Sequence, residues 1–194
     1  MRNKGEKIRA FIAISLPKSV LQAMGEAQEA LRTLGRGIRW VRKEGIHLTL
    51  KFLGDVEADR VDSIQMAMER AAKGMSPFVL SGDGLGVFPD LRRPRVIWIG
   101  LSGDRQVLLA LQTDLESQLK GLGFPKEKRP FKGHLTLGRV KGRLNGGELR
   151  RALEALGSFQ TEAFTVQSLA LFQSTLRPQG AIYTKLAQVS LGSG

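Results

Sequence analysis

The chain has 194 residues, 42% of them hydrophobic, enough for one sizeable domain or two small lobes sharing a core. It contains no cysteine, which excludes disulfides, thiolate metal sites and a cysteine nucleophile, and no apolar run approaches the about 18 residues of a membrane span. Thirty Lys and Arg against 18 Asp and Glu give a formal net charge of +12, an excess that favours an anionic partner, most simply nucleic acid.

In chain order, residues 8–16 read as a strand that stops at Pro17. Arg9 and Ser15 interrupt this apolar stretch and no small-residue cleavage site follows. It is therefore expected to be the first strand of a cytoplasmic protein, not a secretion signal. Pro17 suits the first turn of a helix, and Val20, Leu21, Met24, Ala27, Leu31 and Leu34 recur at helical spacing until Gly35. Residues 39–41 and 46–53 read as strands. Asp59 is placed to cap a second helix with Val61, Ile64 and Met68 inward. Residues 78–85 and 95–101 read as strands around a loop over 86–94. A third helix is expected over 104–119, built on Val107, Leu108, Leu111, Leu115 and Leu119. A basic loop over 126–132 precedes a strand over 134–140, a short helix over 148–156, and strands over 164–172 and 181–187. The last residues, Gly192, Ser193 and Gly194, are expected to fray. Consecutive strands joined by short loops point to an α+β fold with largely antiparallel sheets, not to a doubly wound parallel sheet.

Two of these strands open on the same tetrapeptide, His47-Leu48-Thr49-Leu50 and His134-Leu135-Thr136-Leu137, and the chain has no other histidine. A random His is followed by Leu-Thr-Leu roughly once in a thousand times. Similar element order around each copy predicts a duplicated, bilobal unit over 1–194, with sheets facing a central cleft and helices outside. Alternation along a strand puts His47 and Thr49 on one face and Leu48 and Leu50 on the other, and likewise for the second copy. The leucines then anchor each strand, and the polar pairs face a cleft. Two imidazoles can exchange protons near neutral pH, and two hydroxyls can donate to phosphoryl oxygens. That set suits in-line displacement at phosphorus, with one neutral imidazole as base and one imidazolium as acid. Nothing in two identical copies says which is which. Two histidines without a nearby acidic ligand make a thin metal shell, so neither metal nor cofactor is expected.

Further segments carry a resemblance. Arg9-Ala10-Phe11-Ile12-Ala13-Ile14, Arg39-Trp40-Val41, Lys51-Phe52-Leu53-Gly54, Gly86-Val87-Phe88-Pro89 and Pro94-Arg95-Val96-Ile97-Trp98 flank the first motif and the middle of the chain. Phe131-Lys132-Gly133 and Gly138-Arg139 flank the second motif, and Leu176-Arg177-Pro178 and Gly180-Ala181-Ile182-Tyr183 stand near the end. With the paired motifs, the chain resembles the RNA 2′,3′-cyclic phosphodiesterases, also called bacterial 2′-5′ RNA ligases, of the two-histidine phosphoesterase superfamily. The resemblance implies metal-free hydrolysis of an RNA 2′,3′-cyclic phosphate end, or of a cyclic nucleotide, to a 2′-phosphomonoester. It implies that His134 is the general base and His47 the general acid, and that Thr49 and Thr136 bind phosphate. It also implies that Arg139 contacts phosphate or base and that Phe11 stacks on the terminal base. One departure is Gly133, where many relatives have proline; glycine would permit unusual backbone angles there. A monomer away from membranes is expected. Two alternatives keep the same site: 2′-5′ ligation of tRNA half-molecules, and an RNA-end binding module without turnover.

Overall fold

The computed structural model describes residues 5–178 and 180–192. The first half of the chain carries β1 (Lys7–Ser15), α1 (Lys18–Ala30), β2 (Ile38–Trp40), β3 (His47–Glu57), α2 (Val61–Ala72) and β4 (Phe78–Phe88). The second carries β5 (Val96–Gly103), α3 (Arg105–Gly121), β6 (Leu135–Val140), α4 (Gly146–Ala155), β7 (Phe164–Val166), β8 (Ser168–Arg177) and β9 (Gly180–Ser190). The fold is α+β with every strand pairing antiparallel, as the run of short loops predicts. Ser193 and Gly194 lie outside the described residues.

Several boundaries differ from the sequence expectation for local reasons. Asp59 caps nothing: it sits in a 3-10 turn over Ala58–Arg60 that runs straight into α2, whose cap position is Arg60 in a helical conformation. A capping side chain needs an extended backbone, and none exists there. Pro17 stands at the cap of α1, one residue before the first turn. The helix α4 begins earlier than expected because the Asn145 side chain accepts from the backbone N–H groups of Gly147 and Glu148. The strand expected over 164–172 divides at Gln167, with β7 pairing β4 and β8 pairing β1.

The strands run in the order β7-β4-β5-β6-β3-β1-β8-β9, with β2 added to β6. The two motif strands, β3 and β6, are neighbours at the centre and touch through one pair, Leu48 opposite Leu135. Reading outward, β3 is flanked by β1 then β8, and β6 by β5 then β4. Each half of the chain therefore sends a strand to the other side: β4 joins β5, and β8, with β9 beside it, joins β1. Because only Gln167 separates β7, at one end of this order, from β8, next to the strand at the other end, the sheet curls round on itself. One continuous core holds Leu48, Leu50, Leu135 and Leu137 together with the inward faces of the helices.

Candidate active site

Leu48 and Leu135 are fully buried, which fixes the register of both motif strands. After the threonine, each strand carries an extra residue. In β3, Lys51 pairs Ile12 and Thr49 pairs Ala13, leaving Leu50 between them. In β6, Gly138 pairs Ile97 and Thr136 pairs Trp98, leaving Leu137 between them. A bulge resets the alternation of side chains. Two successive positions thus turn inward in each copy, Leu50 with Lys51 and Leu137 with Gly138. The following residues, Phe52 and Arg139, turn outward into the cleft. Phe52 is 58% exposed, whereas Lys51 is 3% exposed. Lys51 reaches the core side, where its ammonium lies 2.9 Å from both carboxylate oxygens of Glu116 and 2.6 Å from the carbonyl of Pro125. At Gly138 a β-carbon would meet Ile38 and Trp40 at 2.7 and 2.9 Å, so a side chain there has no room.

Both imidazoles are held by the same device. Nδ1 of His47 donates to the carbonyl of Gly45 at 2.8 Å, and Nδ1 of His134 to the carbonyl of Lys132 at 2.7 Å. A carbonyl only accepts, so each Nδ1 carries the hydrogen and each Nε2 is left for proton transfer. Their walls differ. His47 stacks on Phe11 with ring centroids 4.6 Å apart and meets Tyr183 edge-on at 5.1 Å. His134 meets Phe88 edge-on at 5.0 Å beside Trp98, and the Lys132 ammonium lies 5.3 and 5.0 Å over those two rings. Burial holds His47 down to about 4, with the Arg139 guanidinium adding to the effect against the opposing hydrogen bond to Gly45. Burial also lowers His134, with help from Arg139 and Lys132. Burial pushes the Tyr183 phenol up. Both imidazoles are therefore neutral at pH 7.

The cleft has a volume of about 840 Å³ and brings together His47, His134, Thr49, Thr136 and Arg139. Arg9, Arg39, Arg42, Lys141 and Arg177 also line it, and no Asp or Glu does. Among the described residues no three of the possible His, Asp and Glu ligands cluster, and no helix is long and apolar enough to cross a membrane.

The profile of the family described as LigT-like phosphoesterase matches twice in succession, over residues 14–98 and 99–183. The chain belongs to this family. A relative from Methanothermobacter thermautotrophicus, named RNA 2′,3′-cyclic phosphodiesterase, is 33% identical over 180 residues, covering 93% of this chain and 97% of its own. One of the same name from Aquifex aeolicus is 34% identical over 193 residues, covering 95% and 98%. Among solved structures, a Thermus thermophilus protein superposes with a TM-score of 0.78 at 30% identity, covering 95% of this chain and 98% of that one. Escherichia coli LigT complexed with 3′-AMP superposes at 0.74 with 26% identity, covering 97% and 100%.

Within this LigT-like cleft, Phe11 stands apart from the other expected residues. It is 2% exposed, with its ring stacked against both His47 and Phe172. The aromatic that offers an open face is Phe52, which strict alternation would have placed on the core side. Gly133 also has a different reason from the one expected: its φ is not positive, and a β-carbon would stand 2.9 Å from Leu101 and 3.1 Å from Leu108. Glycine is there for space. Phe88 and Trp98, which stood in the sequence only as parts of the resembling segments, form a shelf under His134.

Proposed function

We propose that this enzyme hydrolyses RNA 2′,3′-cyclic phosphate ends to 2′-phosphomonoesters without a metal, using its two histidines as acid and base. The observation that carries the reading is the paired anchoring: two imidazoles, each fixed through Nδ1, with Nε2 free in one cleft lined by cations and no carboxylate. In this reading His134 takes a proton from water as the water oxygen bonds to phosphorus. The bond from phosphorus to O3′ breaks, and His47, protonated at Nε2 once the anionic phosphate is bound, gives that proton to O3′. Thr49 and Thr136 hold the non-bridging oxygens, whose charge grows in the transition state. The unlike walls support this division. Arg139 disfavours charge on both rings, Lys132 adds to this at His134, and an imidazolium at His47 gains from the face of Phe11.

The terminal base fits between Phe52 and Arg139, the two outward residues after the bulges, with a ring on one side and a guanidinium plane on the other. Phe11 then backs His47. Both motifs come from one chain, so a monomer is complete, and residues 1–194 act as one bilobal domain with pseudo-symmetric halves. We propose that the enzyme is cytoplasmic, in a compartment that supplies RNA ends.

Incubation of the protein with a 2′,3′-cyclic phosphate RNA in EDTA tests the reading. A 2′-phosphate product is expected, and loss of turnover in EDTA or a 3′-phosphate product counts against it. Replacing either His47 or His134 by Ala is expected to lower kcat by about 10² to 10⁴; near-normal turnover in either variant rejects the assignment.

A further inference from the structure

The cleft carries more positive charge than a single terminal phosphate can use. Its six cations fall into two groups. Arg139 lowers both imidazoles and opposes the rise at Tyr183, and Arg9 also acts on Tyr183, so these two belong to the reacting centre. Arg39, Arg42, Lys141 and Arg177 line the same cleft from β2 and from the ends of β6 and β8. They form an outer rim.

Three chain segments build this rim. Arg39 lies in β2 and Arg42 just beyond it, Lys141 follows β6, and Arg177 ends β8. The segments close on one another: Arg39 Nη2 donates to the carbonyl of Pro178 at 3.4 Å, and a β-carbon on Gly180 would stand 3.9 Å from Arg42 Nε. Arg39 is also paired directly opposite Arg139 across β2 and β6, an arrangement that like charges disfavour. All four side chains are exposed, and among the described residues none forms a salt bridge with a carboxylate. Solvated surface cations are ordinary when mixed with acids, but Asp and Glu number 18 in this chain and none lines the cleft.

We infer that Arg39, Arg42, Lys141 and Arg177 form a second binding site, continuous with the catalytic cleft, for the internal phosphates of a single-stranded RNA just upstream of its reacting end. The inference rests on the phosphodiesterase reading and narrows it: the substrate class is a polynucleotide end, not a free cyclic mononucleotide. Single strands are implied because the terminal base must leave its stack to lie between Phe52 and Arg139.

The test compares a 2′,3′-cyclic mononucleotide with a single-stranded tetranucleotide bearing the same terminal nucleoside, for the wild type and for R39Q/R177Q. Each neutralised phosphate steepens the salt dependence by about 0.7 in log–log slope, so the slope of kcat/KM for the tetranucleotide is expected to exceed that for the mononucleotide by about 1 to 2. The double variant is expected to lose about tenfold in kcat/KM on the tetranucleotide, to lose about 1 in slope, and to stay within about twofold on the mononucleotide. Mononucleotide turnover doubles as the check on folding. Equal losses on both substrates, no loss on either, or equal salt slopes overturn the rim site. A blunt duplex end hydrolysed as fast as the single strand overturns its single-strand character. If the wild type turns over neither substrate, the phosphodiesterase reading fails instead. Fluorescence anisotropy then decides the rim: unchanged tetranucleotide affinity in R39Q/R177Q overturns it, and a salt-sensitive loss supports it.

Discussion

His47 and His134 share their next three residues and their Nδ1 anchor, yet they differ in what surrounds the ring. Burial keeps both below the usual imidazole range, so at pH 7 both are neutral, with the hydrogen on Nδ1 and none on Nε2. A bound phosphate supplies the missing counter-charge and raises the imidazoles. Between the free and bound values the complex therefore takes up protons, up to about one for the acid at work. Calorimetry of a 2′-phosphomononucleotide in buffers of different ionisation enthalpy at pH 7 reads this directly; zero uptake or proton release contradicts it. The aromatic residues separate just as clearly. Phe52→Ala is expected to raise KM by roughly tenfold with a smaller change in kcat, since a stacked base contributes about 1 to 3 kcal/mol. Phe11→Leu is expected to act on kcat and its pH profile instead, because Phe11 touches His47. A KM effect confined to Phe11→Leu would exchange the two roles. The histidines and threonines were legible in the sequence because their spacing repeats, and Arg139 only through the family resemblance. Phe52 was not, because alternation says nothing of a bulge that lies between the motif and it.

The bulges matter equally to the elements. Each leaves polar atoms on the core side, and each is met by a helix lying against that motif strand. From α1, the Gln28 side chain donates to the carbonyls of Val41 and Leu137, both at 2.8 Å, and Leu137 is the bulged residue of β6. From α3, Glu116 receives the ammonium of Lys51, and Gln112 donates to the same carboxylate at 3.3 Å. The Lys51 ammonium also holds the carbonyl of Pro125, at the start of the loop that leads to His134. Helical periodicity marks the apolar face of α3 but gives no sign that Gln112 and Glu116 are buried within it, since the reason lies 65 residues away in β3. Glu116→Leu strands a buried ammonium and is expected to cost about 3 to 5 kcal/mol in urea unfolding. Adding Lys51→Met removes that charge, and the double variant is expected to recover most of the loss. A double variant as unstable as the single one would show that packing, not the unpaired charge, sets the cost.

At the scale of the whole molecule, the duplication was visible in the sequence while the exchange of strands was not. Repeated motifs report that two units exist; they carry no information on which unit a strand pairs with. Here β4 belongs by chain order to the first half, but both of its partners, β5 and β7, belong to the second. Conversely β8, from the second half, covers β1 of the first. A cut between the repeats therefore leaves the fragment 1–94 with β4 bare on both edges and β1 without one neighbour. The fragment 95–194 keeps β8 and β9 but loses the strand that joins them to the rest of the sheet. Unpaired strand edges and half a core do not make a stable domain. Neither fragment is expected to show cooperative unfolding or dispersed amide resonances alone. Mixing the two while unfolded and then removing denaturant is expected to restore some phosphodiesterase turnover, because each brings one histidine and the other's missing strand. An isolated half that folds cooperatively would mean that the two repeats are separate domains and that strand exchange is not what binds them.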